Sequence, residues 1–189
     1  IAPQLMVYLD VEMSQFVLAE LQRNGVRVML NEGLVRCVGT DHVQKVITQH
    51  NEIPADLVLL AVGVRPNTKL AEQAGIKLGA GKAIAVDDHM RTSIEGIYAA
   101  GDCAETVHQV TGEKAYMPLG TTANKQGRVA GANVAGMACT FEGVVGTAIA
   151  KVFGLDVART GLTVREAAAK GFNVRSVTIH TINHAEYYP

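Results

Sequence analysis

The sequence predicts an α/β fold that gives way towards its C-terminal end to a separate α+β unit, and three observations predict it. Residues 56–62 and 96–100 are short, nearly continuous apolar runs of strand length, each ending at a glycine, as expected for strands covered on both faces. Helix-spaced stretches at 11–24 and 122–135 flank them. Residues 174–182 instead alternate apolar with polar side chains, the pattern of a strand with one wet face.

The elements follow in order. Asp10 is placed to cap a helix over 11–24, whose Met13, Phe16, Val17 and Leu21 form one apolar stripe, and Gly25 stops it. Residues 26–30, 34–38 and 43–48 read as three short strands of a small meander. The run at 56–62 exits through Gly63 into Arg65-Pro66-Asn67, which breaks regular structure. A short helix over 69–74 stops at Gly75, a strand at 83–86 turns at Asp87-Asp88, and the buried strand 96–100 ends at Gly101-Asp102. The helix at 122–135 carries Ala123, Gly127, Ala130, Gly131, Ala132 and Ala135. Glycine costs a helix about 1 kcal/mol relative to alanine, so two of them imply a close neighbour, backbone or ligand. Residues 147–153 and 157–160 read as a hairpin. Thr163-Val164-Arg165-Glu166 then makes a capping box for a helix ending at Gly171.

Composition excludes several classes. With 48% hydrophobic and 19% charged residues the chain is no disordered tail. Seventeen Lys and Arg against eighteen Asp and Glu give no electrostatic reason to expect a nucleic-acid partner. The apolar runs are too short to span a bilayer, and no secretory signal is visible. Three separated cysteines, Cys37, Cys103 and Cys139, suit a reducing compartment better than a disulfide framework. These features read together as a soluble, cytoplasmic protein. The chain opens on Ile1 and closes on Tyr187-Tyr188-Pro189 just after a strand-like run, which reads as part of a longer polypeptide.

Two stretches carry chemistry. A strand reaching Ala99-Ala100-Gly101 lets the backbone approach an extended cofactor, and Asp102 beyond it is placed to accept a hydroxyl hydrogen bond. Gly-Asp is also an ordinary turn pair; the preceding strand and the upstream Thr92-Ser93 favour the ligand reading. Next, Pro118-Leu119-Gly120-Thr121-Thr122 leads into the small-sided helix. Free amides and a partial positive charge there suit a phosphate or a negatively charged ring, with Thr121 or Thr122 as the cap. Ala61-Val62-Gly63 echoes the Gly101 strand, which suggests two related nucleotide-binding lobes, although a plain strand exit explains it as well.

These stretches, in this order, resemble the two-dinucleotide-binding-domain flavoproteins, the pyridine nucleotide-disulfide oxidoreductases. Val62-Gly63-Val64-Arg65-Pro66-Asn67 is similar to the end of their NAD(P)H domain, and Thr92-Ser93 through Asp102 to their second FAD motif, in which the aspartate binds the ribitol. Ala123-Asn124-Lys125-Gln126-Gly127-Arg128 resembles the flavin-side helix, and Gly146-Thr147-Ala148-Ile149 through Thr163 the start of the dimerisation domain. The resemblance implies remnants of two Rossmann-like dinucleotide-binding domains: NAD(P)H at 1–68 and FAD at 69–145. The start of an α+β dimerisation domain follows at 146–189. It implies FAD contacts at Gly101, Asp102, Pro118, Leu119, Gly120 and Thr121, and NAD(P)H contacts at Val62 and Gly63.

The ending His184-Ala185-Glu186-Tyr187-Tyr188-Pro189 resembles the coenzyme A-disulfide and persulfide reductase branch. There one tyrosine of the pair, Tyr187 or Tyr188, reaches the active site of the partner subunit in a homodimer, while Asn124 and Arg128 contact the coenzyme A substrate. An aromatic anchor at a subunit interface is the plainer reading of the pair. The glycine fingerprints and the redox-active cysteine of the family would precede Ile1, so the chain by itself also reads as a catalytically inactive piece, a cofactor-binding remnant or an oligomerisation module. A relative of the NADH oxidases and peroxidases is a further alternative. Cys103 would lie at the ribitol side, with no neighbour to lower its pKa, and reads as a small buried thiol. The six histidines have no metal-ligand spacing and read as surface residues.

Overall fold

The computed structural model describes residues 2–181 and 187. Helix α1 (Val11–Arg23) starts after Asp10. Its C-terminus is closed by Val26 N–H to Leu21 C=O and Gly25 N–H to Gln22 C=O, satisfying carbonyls the helix leaves open. Val17 is the apolar residue it buries, together with Ser14, while Met13 and Phe16 stay exposed. Strands β1 (Leu34–Val38), β2 (Lys45–Thr48) and β3 (Glu52–Pro54) form an antiparallel meander in that order. The meander is therefore one element later than the sequence predicts. Residues 26–30 are not a strand, and β3 takes the third place, because Asn51 C=O accepts Thr48 N–H and turns the chain back at once.

Two expected buried strands are not formed. Residues 55–67 are irregular and largely exposed, with Leu57, Leu59, Leu60, Val62 and Val64 open to solvent. Residues 96–100 make one bridge, Arg91 with Tyr98, and Ile97 is exposed. A strand has no hydrogen bonds within itself, so an apolar run becomes one only where a neighbouring strand completes its ladder. Among the described residues none does so. The expected strand at 83–86 is likewise reduced to bridges from Ile84, antiparallel to Leu78 and parallel to Ala104.

Those bridges nevertheless build the core. Ala71 of α2 (Lys69–Gln73), Ile84, Val86, Met90 and Ala104 bury together, with Val129 and Ala130 of α3 (Gly120–Val134) packed against them. Strands β4 (Thr106–Val107) and β5 (Lys114–Ala115) form a small ladder beside it.

The C-terminal unit is the hairpin β6 (Ala148–Val152) and β7 (Leu155–Arg159), followed by α4 (Val164–Ala169). The capping box forms as the sequence predicts: Thr163 Oγ1 accepts Glu166 N–H and the Glu166 carboxylate accepts Thr163 N–H. The unit docks on the N-terminal segment through side chains. Arg159 donates to Tyr8 C=O at 2.8 Å and Arg165 to Val7 C=O at 2.8 Å, and Asp10 Oδ1 accepts Val164 N–H at 2.9 Å. Asp10 thus serves α4 and makes no side-chain cap on α1. The expected strand at 174–182 is not formed over its described part, where Val177 and Ile179 are exposed. Among the described residues no helix is long and apolar enough to cross a membrane.

Candidate functional site

The turn at 100–105 is held on the face of α3 by one side chain. Gln126, with 0% exposure, accepts Gly101 N–H at 2.9 Å through Oε1 and donates through Nε2 to Glu105 C=O at 3.0 Å. Gly101 has φ of 87°, in the left-handed region that favours glycine, and a Cβ there would sit 3.7 Å from that of Ala123. Turn and helix are therefore in contact, so Asp102 next to them leaves the protein surface from a fixed base. Asp102 is exposed and makes no hydrogen bond or ion pair among the described residues. Its charge is felt by Tyr116, whose phenol is held above its ordinary pKa by burial first, then by Asp102 and Cys103.

Glu105 closes the turn from inside. Its carboxylate, nearly buried, accepts Ala80 N–H at 2.9 Å and lies 3.1 Å from Lys114 Nζ. Lys114 in turn donates to Val86 C=O at 2.6 Å. A Cβ on Gly79 would lie 1.9 Å from Glu105 Oε2, so a side chain there has to push the carboxylate away from Ala80 N–H and Lys114.

Helix α3 begins at Gly120, two residues earlier than expected, with Leu119 as its N-cap and no side-chain cap. Thr121 and Thr122 are therefore inside the first turn rather than capping it. The amides of Gly120, Thr121 and Thr122 have no intrahelical acceptor, and the space a Cβ would take on Gly120 is open. The same is true of Gly127 and Gly131, so the close neighbour that the small-sided helix predicts is not found among the described residues. Asn124 and Arg128 are exposed four residues apart on one face, and Pro118 and Leu119 are half-buried at the helix entrance.

The remaining expected site residues are not gathered here. Val62 is 89% exposed, and no described residue comes within 4 Å of a would-be Cβ on Gly63. Tyr187 is exposed, and Tyr188 lies outside the described residues. Cys103 is half-buried rather than buried, its Sγ 3.5 Å from Ala100 C=O. Two histidines depart from the surface reading. His108 is 4% exposed and neither ring nitrogen has a hydrogen-bond partner among the described residues, and His89 is half-buried against Cys139 C=O at 2.8 Å. His184 lies outside the described residues. Among the described residues no three His, Cys, Asp or Glu gather as a metal site.

Sequence reasoning missed Gln126 and Tyr116. A signal for Gln126 exists: it lies four residues after Thr122, a polar position on the one face of α3 that is buried. Tyr116 had none, since its place depends on the packing of Gly81 against its ring, with a would-be Cβ 2.7 Å from Tyr116 Cβ.

Residues 1–127 match the family model described as pyridine nucleotide-disulphide oxidoreductase. The chain is 43% identical over 173 residues to a CoA-dependent NAD(P)H sulfur oxidoreductase of Pyrococcus furiosus, covering 92% of this chain and 39% of that protein. The fold superposes on an NAD-dependent persulfide reductase from A. fulgidus with a TM-score of 0.92 at 41% identity, over 100% of this chain and 35% of that one. It also superposes on an FAD-dependent pyridine nucleotide-disulphide oxidoreductase from Desulfovibrio vulgaris, with a TM-score of 0.85 at 42% identity, over 91% of this chain and 44% of that one. The chain thus spans about two fifths of the length of these relatives.

Proposed function

The chain belongs to the pyridine nucleotide-disulphide oxidoreductase family, and from that membership we propose that it supplies the flavin-side portion of an NAD(P)H-dependent flavoenzyme. The substrate class is coenzyme A disulfide, a coenzyme A persulfide or a related small disulfide, in keeping with the CoA-dependent sulfur oxidoreductase and the persulfide reductase it is similar to.

One observation carries the reading: the Gly101–Asp102 turn is bolted to the first turns of α3, with the carboxylate exposed and the helix amides uncapped. That arrangement fits FAD. Gly101 admits the cofactor backbone closely, and Asp102 accepts a hydrogen bond from a ribitol hydroxyl. The amides at Gly120 and Thr121 and the partial positive charge of α3 meet the negative charge of a reduced ring. Pro118 and Leu119 wall the entrance. Bound FAD would take an electron pair from NAD(P)H and deliver it towards sulfur.

Around this centre the other assignments follow as proposals. Residues 1–68 belong to the NAD(P)H lobe, with Val62 and Gly63 at its cofactor edge, 69–145 to the FAD lobe, and 146–189 to a dimerisation unit. Asn124 and Arg128 bind the substrate from their shared face of α3. One of Tyr187 and Tyr188 acts at the site of the partner subunit in a homodimer.

The test is flavin retention, read as visible absorbance after purification and as a titration with FAD. A hydrogen bond to a charged group contributes about 1.5–3 kcal/mol, so Asp102→Ala is expected to weaken FAD binding about ten- to hundred-fold. Cys103→Ala, a half-buried neighbour, is expected to change it little. Equal losses in the two variants would overturn the assignment.

A further inference from the structure

Residues 57–64 carry five large apolar side chains open to solvent: Leu57, Leu59 and Val62 are 82%, 85% and 89% exposed, with Leu60 and Val64 beside them. Exposed apolar surface gathered this closely marks a contact with another macromolecule. The backbone is equally unserved. No N–H or C=O of residues 57–65 takes part in a hydrogen bond among the described residues, so the run presents the unpaired groups of an edge strand. Its two ends are fixed. Ala55 N–H donates to Gln44 C=O at 3.0 Å, which ties the entrance to the meander, and the exit runs into Thr68, the buried N-cap residue of α2. The stretch 57–62 has ordinary strand length, and Gly63, with φ of 97°, turns the chain out of it.

Charge decides what fits this face. Asp56 stands at one end of the run and Arg65 at the other, both exposed and neither in an ion pair or hydrogen bond among the described residues. A second copy laid antiparallel sets Asp56 of each protomer beside Arg65 of the other, at both ends of the ladder. Laid parallel, it sets like charge beside like, which destabilises a strand pair. Between the ends apolar side chains meet apolar side chains, and each copy supplies the backbone partners that the other lacks. Such a contact uses the same surface on both protomers and closes with two-fold symmetry.

We propose that residues 56–65 are a self-association surface, in which two copies of this chain pair antiparallel through 57–62 with Asp56–Arg65 ion pairs at both ends. The surface is distinct from the dimerisation unit at 146–189, and it does not rest on the flavin reading. Val62 belongs both to this face and to the NAD(P)H edge proposed above, so the second copy and the coenzyme compete for it.

The experiment is sedimentation velocity of the full chain over a range of concentrations, with hydrogen exchange at residues 57–62 followed in parallel. A reversible monomer–dimer equilibrium is expected, with exchange at 57–62 slowed as the dimer forms. Leu60 is exposed, so Leu60→Lys should leave thermal unfolding of the monomer unchanged and abolish the dimer over the same range. Asp56→Arg and Arg65→Asp should each weaken association about tenfold. An equimolar mixture of the two variants should recover it, because the mixed pair restores opposite charges at both ends. A monomer at every concentration overturns the proposal and leaves the run to a different chain, one carrying the part of the relatives' fold that this chain does not span. A dimer that survives Leu60→Lys overturns it in favour of the unit at 146–189. Single reversals that leave association unchanged overturn the antiparallel pairing, and open-ended assembly overturns the closed pair.

Discussion

Gln126→Leu is the substitution that most directly tests how the site is built. The side chain has no exposure and makes two hydrogen bonds, from Gly101 N–H at 2.9 Å and to Glu105 C=O at 3.0 Å. Leucine fills a similar volume but leaves a part-buried donor and a buried acceptor unmatched. Each orphan costs about 1–3 kcal/mol, and the added apolar burial returns about 1 kcal/mol. The net destabilisation is about 3 kcal/mol, or roughly 6–12 °C in Tm for a chain of this size. The loop that carries Asp102 would also lose its anchor, so FAD affinity should fall with stability. The assays are thermal unfolding by circular dichroism and an FAD titration well below the lowered Tm. Gln126→Glu separates the terms: it keeps the acceptor for Gly101 N–H while losing the donor to Glu105. It should recover part of the FAD affinity without recovering full stability. A Gln126→Leu protein with wild-type Tm and wild-type FAD affinity would refute the reasoning, since turn and helix would then be held together by something else.

Two further outcomes follow from the same geometry. Gly79→Ala should destabilise by about 1–3 kcal/mol in urea unfolding. Its Cβ would meet Glu105 Oε2, which cannot retreat without giving up Ala80 N–H and Lys114. Burial raises the pKa of Glu166, but hydrogen bonds from Thr163 N–H and Oγ1 and the nearby Arg159 outweigh it and hold the carboxyl below its ordinary value of 4.5. A depressed carboxyl stabilises the fold above its unfolded pKa and loses that contribution as pH falls through the lower folded value. The wild-type chain should therefore lose stability below about pH 4.5 more steeply than Glu166→Gln, as followed by unfolding at a series of pH values. Parallel profiles would show that the capping box carries none of the acid sensitivity.

What the sequence determined by itself are the features encoded within a few residues. The helix after Asp10, the capping box at Thr163 and Glu166, the hairpin at 148–159 and the stops at Gly75 and Gly171 all depend on spacing and local hydrogen bonding, and all appear in place. The Gly101–Asp102 turn was legible for the same reason. Tertiary structure alone decided everything that needs a distant partner. Asp10 abandons its own helix for Val164, 154 residues away, and the runs at 56–62 and 96–100 stay open because a β-ladder is completed only by another strand. Gln126 shows in the sequence only as a polar residue one helical turn after Thr122; the fold decided that it holds Gly101 across 25 residues of sequence. A buried side chain has to bond whatever the fold brings to it, and no local pattern records what that will be.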